Sequence, residues 1–156
     1  IKVGHNLKYD RHIFSNYDLN LQGQIFDTML LSYVNNSIAT RHNLEAVSKR
    51  YLNINPSSYE DVAGKGAKQI SFQQVGIEEA TYYAAEDADI SLQLHHALTP
   101  VLRKQTALYD LYINCEEPLI EVLGAIERHG VLIDSTLLNK QSSEFEITLR
   151  TIEEKV

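Results

Sequence analysis

Apolar residues recur along the chain in two ways, as short continuous runs near the N-terminus and with helical periodicity over most of the remainder. Residues 1–4 and the Ile25-Phe26 pair have the apolar character of short strands. Helical periodicity covers the other segments, which are roughly 7–16, from Asp27 or Thr28 to about 36, 44–52, 76–102, 107–129 and from Asp134 or Ser135 to Val156. The pattern predicts a mostly helical chain with only short strands.

Polar residues at the predicted helix ends indicate caps. We expect Asn6 to cap the first helix, because an asparagine side chain can accept a hydrogen bond from a free N–H of the first turn. Asp27 precedes the apolar residues Met29 and Leu30, a position that favours a capping role over a catalytic one. Gly130 follows His129 and indicates the end of the 107–129 helix.

The two longest predicted helices each contain a proline. The apolar side of the 76–102 helix is predicted to run through Ile77, Ala80, Ala84, Ala88, Leu92 and His95 or His96, with an interruption at Pro100. Pro118 removes a backbone donor and predicts a kink or break near 117–118 in the second helix. An apolar stripe then resumes at Leu119, Val122, Leu123 and Ile126.

Composition excludes several classes of protein. Hydrophobic residues make up 44% of the 156 and charged residues 22%, which is typical of a globular protein, and no apolar run reaches the ~18 residues of a membrane span. Cys115 is the single cysteine, which excludes an internal disulfide and the common zinc spacings, and we expect it to be buried. Gly64-Lys65-Gly66 lacks the P-loop spacing and is interpreted as an exposed loop with lysines.

The net charge of −7 is unevenly distributed. Residues 1–103 contain 9 basic and 11 acidic side chains, whereas 104–156 contain 5 basic and 10 acidic ones, so the acidity is concentrated in the last third. An acidic protein would have to bind nucleic acid through local basic groups and through metal ions held by carboxylates, because phosphate neutralisation requires positive charge.

Tyr83 and Asp87 lie four residues apart within a strongly helical segment, so they share one face of that helix. Taken alone, the pair is better interpreted as an ordinary helix with a half-buried tyrosine and solvated acids. Asn6 and Asp10 repeat the same spacing at the start of the chain, where a cap and a surface acid would also explain them. The two motifs together are more specific than either one.

In combination, Asn6 to Asp10 and Tyr83 to Asp87 resemble the N-x-x-x-D and Y-x-x-x-D motifs of the tyrosine-bearing branch of the DEDD superfamily of 3′–5′ exonucleases. The wider context resembles the proofreading domain of family A DNA polymerases, the family of bacterial DNA polymerase I. It includes residues 3–10, 26–30 and 63–66, followed by 127–134, which resembles the segment that opens the polymerase domain. The resemblance implies an α/β, ribonuclease H-like exonuclease domain lacking its first strands at 1–103, and the start of the polymerase domain, leading into the thumb, at 104–156.

The resemblance also implies roles for individual residues. Asp87 and Asp10 would each hold one of two divalent ions, Mg²⁺ or Mn²⁺, which together activate a water and neutralise charge at the phosphate. Tyr83 would orient that water rather than act as a base, since its reference pKa is about 10. The terminal nucleotide and the single strand would be contacted by Asn6, His5, Arg41 and Tyr59. The family more often has glutamine at the position of His5 and phenylalanine at that of Tyr59.

The implied parent protein is a monomeric DNA-directed DNA polymerase of the bacterial cytoplasm, associated with the nucleoid, with DNA as partner and no membrane attachment. It would proofread single-stranded 3′ ends during repair and replication. The family's first motif, D-x-E on the first strand, has no counterpart in this sequence. We therefore expect the chain to be a fragment that binds metal weakly, if at all, and has negligible exonuclease activity alone. The alternatives are a catalytically dead, exonuclease-like support domain, and an RNA-trimming nuclease, which 127–134 disfavours.

Overall fold

The computed structural model of the protein describes residues 1–155, which divide into two compact units, residues 1–125 and the remainder from Ile126. The regular elements of the chain are, in order, β1 (Lys2–Gly4), α1 (Leu7–Ser15), β2 (Ile25–Asp27), α2 (Thr28–Asn35), α3 (Leu44–Leu52), α4 (Tyr59–Ala63), α5 (Ile77–Arg103), α6 (Thr106–Leu111), α7 (Glu117–His129) and α8 (Ser135–Glu153). Short 3₁₀ turns occupy Gly66–Lys68 and Phe72–Gln74, and a π-helical segment spans Tyr112–Glu116. The expectation of a mostly helical chain with two short strands is confirmed.

The two strands pair in parallel, with Val3 opposite Phe26 and Gly4 opposite Asp27. Parallel pairing places both carboxyl ends at the same edge, so the residues that begin α1 and α2 become neighbours there. Gly4 is required by packing at this corner, because a Cβ atom on it would lie 2.4 Å from Leu7 Cδ2. The edge that carries His5 and Asn6 is therefore built from residues more than twenty positions apart in the sequence.

α5 is the central element of the first unit and packs against both α2 and α3. The core cluster consists of Phe26, Leu31, Val34, Val47, Ile90, Leu94, Leu98, Leu102 and Tyr112. The prediction for the buried side of α5 is wrong, because Ile77 is 80% exposed and Leu92 is 46% exposed. The buried line runs instead through Ile90, Leu94 and Leu98, and Pro100 lies inside the helix on its exposed side without ending it.

Pro118 does not break the second long helical region. The region continues from α6 to α7 through the π-helical segment that directly precedes the proline. Such a widened turn is a common way to accommodate a residue that cannot join the regular hydrogen-bond ladder. Cys115 lies in this segment and is exposed, so the prediction that it is buried is wrong. The buried residue of the segment is Tyr112, whose hydroxyl donates to the Asp27 carbonyl oxygen at 3.1 Å.

The second compact unit contains the end of α7 and all of α8. α7 ends at His129, and Gly130 follows with a φ of 73°, as expected for a glycine C-cap. Residues 131–133 have no regular secondary structure, and the Asp134 carboxylate caps α8 by accepting the Leu137 N–H at 2.9 Å. α8 was predicted to reach Val156, a residue that lies outside the described part of the chain. In the structure the helix ends at Glu153. No helix among residues 1–155 is long and apolar enough to span a membrane.

Candidate functional site

The start of α1 is held by a carboxylate from β2 rather than by its own cap. The backbone of Asn6 is left-handed, with φ 61° and ψ 46°, and its side chain makes no capping hydrogen bond. Asp27 accepts the backbone N–H groups of Asn6 at 3.1 Å and of Leu7 at 2.7 Å. The prediction that Asn6 caps this helix is therefore wrong, because a capping side chain requires an extended backbone at that position.

Asp27 also performs the role that the sequence predicted for it. Its Oδ1 accepts the Met29 N–H at 2.8 Å and so caps α2, which confirms the capping interpretation. Asp27 itself is 1% exposed, and its bond to the Leu7 N–H is fully buried. One buried carboxylate thus joins the first turns of α1 and α2.

His5 lies at the same corner and links three segments. Its Nδ1 is 2.9 Å from Thr28 Oγ1, and its Nε2 is 2.9 Å from the His42 carbonyl oxygen. The Thr28 hydroxyl donates to the Gly4 carbonyl oxygen at 3.0 Å. Burial lowers the pKa of His5, and the contacts of both ring nitrogens fix the orientation of the ring. His5 is therefore rigidly placed at the edge of the candidate site.

Tyr83 and Asp87 interact directly on α5. The Tyr83 hydroxyl interacts with the Asp87 carboxylate, as the spacing of four residues on one helix predicts. Burial, followed by the charge of Asp87, raises the pKa of Tyr83 to about 12. Burial also raises the pKa of Asp87, and the Tyr83 hydrogen bond partly opposes that rise. At neutral pH Tyr83 is a hydrogen-bond donor and cannot serve as a base.

Asp10 and Asp87 line the same cavity, which has a volume of about 620 Å³. His5, Asn6 and Ser91 also contribute to its wall. Burial, followed by the charge of Asp27, raises the pKa of Asp10. Two partly buried carboxylates thus face one space although they lie far apart in the sequence. Their catalytic roles remain predictions.

Tyr83, Arg41 and Tyr59 lie outside the lining of this cavity. Tyr83 lines another pocket, of about 470 Å³, and interacts with Asp87, which lines the cavity. Arg41 is exposed, and its carbonyl oxygen accepts from Arg50 Nη2 at 3.0 Å. Tyr59 begins α4 and is 39% exposed. The contacts that these residues were predicted to make with a single strand remain predictions.

The structure adds one aromatic residue that the sequence reasoning missed. The Phe72 ring stacks on Tyr59, with centroids 6.2 Å apart, and meets the Tyr83 ring at 5.9 Å. Its position in a polar loop offered a clue, because an isolated aromatic residue there has no core to join. Lys65, from the loop predicted to be exposed, is exposed and pairs with Glu60 at 2.9 Å.

The donor set of the cavity suits hard divalent cations only in part. Carboxylate oxygens are the ligands that Mg²⁺ and Mn²⁺ prefer, and Asp10 and Asp87 supply them. However, residues 1–155 contain no group of three or more histidine, cysteine, aspartate or glutamate side chains placed to hold a metal ion. The described residues therefore offer two ligands but not a complete cage.

Comparison with known proteins agrees with this geometry. A family model described as 3′-5′ exonuclease, from the DNA polymerase A type, matches residues 1–103. DNA polymerase I of Pseudomonas aeruginosa is 46% identical over 146 residues, which cover 92% of this chain and 16% of the relative. DNA polymerase I of Rhizobium leguminosarum is 36% identical over 156 residues, covering 100% of this chain and 15% of the relative. DNA polymerase I of Chloroflexus aurantiacus is 34% identical over 157 residues, which cover 99% of this chain and 16% of the relative.

The chain thus spans less than a fifth of the length of these curated relatives. Exonuclease domains of this family generally use divalent metal ions, which agrees with the oxygen donors that face the cavity. The matched residues include the β1–α1 corner, the cavity and the inward face of α5. On these grounds the chain belongs to the 3′–5′ exonuclease family of family A DNA polymerases.

Proposed function

We propose that residues 1–103 form the greater part of a proofreading 3′–5′ exonuclease domain, of ribonuclease H-like fold, within a longer DNA polymerase. The substrate is the single-stranded 3′ end of DNA, and residues from 104 onward begin the polymerase domain. The observation that carries the proposal is the cavity shared by Asp10 and Asp87, with Tyr83 one turn from Asp87 on α5.

The proposed chemistry assigns a task to each side chain at this cavity. Asp10 and Asp87 would hold divalent ions, which supply an activated water and neutralise charge on the scissile phosphate. Tyr83, kept protonated at neutral pH, would orient the attacking water through its hydroxyl. Asn6 and His5 would contact the terminal nucleotide from the rigid β1–α1 corner, while Arg41 and Tyr59 would bind the preceding phosphate and base.

The test compares point variants of the full-length protein that contains this chain. Asp87→Asn should reduce hydrolysis of a single-stranded 3′ end by at least about 10³-fold, because it removes charge from a metal ligand. Asp89→Asn is the matched control, since Asp89 is exposed on the same helix and bonds only to Gln93 among the contacts described for it, at 2.6 Å. Equal activity in the Asp87 variant and the wild type would refute the proposed site.

A second function is favoured by a specific observation, the incomplete metal cage among residues 1–155. In that alternative the domain is catalytically dead and supports DNA binding in a polymerase. The full-length protein distinguishes the two, because a dead domain would bind a single-stranded 3′ end without degrading it in Mg²⁺ or Mn²⁺. An RNA-trimming enzyme would differ from both, because it would degrade the 3′ end of RNA.

A further inference from the structure

Phe72 occupies the space between two tyrosines that the proposed function places in different roles. It stacks on Tyr59, with an interplanar angle of 29°, and it meets Tyr83 at 58°. Tyr59 is the predicted stacking residue for the substrate, and Tyr83 lies one turn from Asp87 on α5. Phe72 therefore connects the substrate-facing ring to the ring beside the reacting centre.

The loop that carries Phe72 is fixed by hydrogen bonds. The Ile70 N–H donates to the Ala63 carbonyl oxygen at 2.8 Å, which folds the loop back onto the end of α4. Ser71 and Gln74 then form a capping box around Phe72, with the Ser71 N–H donating to Gln74 Oε1 at 3.0 Å. These bonds hold the backbone from which the Phe72 ring projects.

A second bond fixes the tyrosine on the other side of Phe72. The Ser57 N–H, just before α4, donates to Glu86 Oε2 on α5 at 2.8 Å. Glu86 is adjacent to Asp87, so this bond ties the start of α4, and with it Tyr59, to the helix that carries Tyr83. The three rings are therefore in contact, and hydrogen bonds hold the backbone on both sides of them.

The exposure of Phe72 argues against a role in the core. Phe72 remains 40% exposed and Tyr59 39% exposed, whereas the core aromatic residue Phe26 is 5% exposed. Partly exposed, neighbouring aromatic faces are the surface on which single-stranded bases stack without regard to sequence. Burial of apolar area alone does not explain a loop that holds an aromatic ring half in solvent.

We propose that Phe72 is a positioning residue of the exonuclease site, which restrains the Tyr83 ring and extends the stacking surface of Tyr59 for the single-stranded 3′ end. This inference rests on the proposed function. Phe72 touches both tyrosines, whereas Tyr59 is in ring contact with Phe72 and not with Tyr83. Removing each ring should therefore give a different kinetic result.

The experiment uses the full-length protein with Phe72→Leu, Tyr59→Leu and the conservative Phe72→Tyr. Both leucine variants should raise KM about tenfold for a single-stranded 3′ end, because each removes a stacking face. Phe72→Leu alone should also lower kcat, by about tenfold, because Tyr83 loses its restraint. Phe72→Tyr should retain both constants, and Phe145→Leu, at an exposed phenylalanine of α8, is the matched control.

A binding measurement, made in EDTA, keeps the inference independent of catalysis. Three single strands each carry the fluorescent base 2-aminopurine at one of the last three positions. The fluorescence of 2-aminopurine should be quenched when the strand binds, and Phe72→Leu should reduce that quenching. If folded Phe72→Leu has the same kcat, KM and quenching as the wild type, the inference is wrong. In that case the proposed function still holds, provided that Asp87→Asn is inactive. If the wild type degrades nothing, the proposed function fails, and the quenching comparison still decides whether Phe72 stacks on the strand. If Phe72→Leu does not fold, Phe72→Met takes its place in every comparison.

Discussion

Asp27 shows how much of the candidate site depends on a single buried side chain. Its carboxylate accepts N–H groups from the first turns of both α1 and α2. The cap on α2 could be predicted, because donor and acceptor lie two residues apart. The bonds to Asn6 and Leu7 could not, since they exist only when β1 and β2 pair with Gly4 opposite Asp27.

Asp27→Ala should lower the free energy of unfolding by about 3 kcal/mol or more, because one buried and several partly buried N–H groups would lose their acceptor. Urea unfolding of the purified chain measures the change. Asp110→Ala, at an exposed acid of α6, serves as the control and should change stability by less than about 0.5 kcal/mol. Equal losses in both variants would show that Asp27 has no special role.

Gly4 and Gly124 provide a matched pair of glycine substitutions. A Cβ at Gly4 would lie 2.4 Å from the side chain of buried Leu7, so Gly4→Ala should cost about 1–3 kcal/mol of stability. A Cβ at Gly124 would meet nothing closer than Lys8 Cγ at 4.0 Å, and Gly124→Ala in α7 should add about 0.5–1 kcal/mol. Thermal unfolding checks both, and a stabilising Gly4→Ala would contradict the packing argument.

Glu117 should make stability depend on pH. It accepts the Asp27 N–H at 2.8 Å, and burial raises its pKa to about 7 from an ordinary 4.5. A raised carboxyl pKa means that the folded state binds the proton more tightly, so stability falls as pH rises from about 4.5 through 7. Glu117→Gln should therefore be more stable than the wild type at pH 8, by about 1–2 kcal/mol once solvent screening is allowed for.

The same substitution should have little effect at pH 4, where both states of the wild type carry a protonated Glu117. Urea midpoints measured at pH 4, 6 and 8 give the profile. Glu121→Gln is the control, because Glu121 is exposed and pairs only loosely with Arg11, at 3.8 Å. A difference between Glu117→Gln and the wild type that stays constant with pH would rule out titration of Glu117 as its cause.

At the scale of elements, α5 determines where the catalytic candidates point. Its buried face continues from Leu98, Leu94 and Ile90 toward the N-terminus, and there it carries Asp87 and Tyr83. The sequence pattern predicted the length of α5 well, but it predicted the wrong side of the helix as the buried one. Ala84 and Ala88 made a plausible apolar stripe. Packing against α2 and α3 instead turns inward the face that carries Tyr83 and Asp87, each one position earlier in the sequence.

Leu94 and Leu92 test this face directly. Leu94 is fully buried and Leu92 is 46% exposed, although both lie in the same turns of α5. Leu94→Ala should cost about 2–5 kcal/mol through the cavity it leaves. Leu92→Ala should cost less than about 1 kcal/mol, since it removes a half-exposed side chain. Denaturant unfolding of the two variants measures the difference, and a reversed order of stability would restore the predicted stripe.

At the scale of the whole molecule, the motifs predicted which carboxylates meet but not how the site is supported. Asp10 and Asp87 could be paired in advance because each motif has a fixed spacing and the family resemblance joins them. Phe72 and the contacts of Asp27 with α1 could not, because they depend on loop closure and strand register rather than on local periodicity. The two described carboxylates nevertheless leave the metal cage incomplete.

The purified 156-residue chain should accordingly bind Mn²⁺ only weakly, with a Kd of roughly a millimolar, because hard cations held by one or two carboxylates keep most of their water. Calorimetric titration should show that weak binding is lost in Asp87→Asn and kept in Asp89→Asn. Single-stranded DNA should remain undegraded in Mg²⁺ or Mn²⁺, because two ligands cannot fix two ions at the separation of about 4 Å that the reaction needs. Rapid, metal-dependent 3′–5′ degradation by this chain alone would mean that Asp10, Asp87 and their neighbours complete a site from residues that the geometry does not identify.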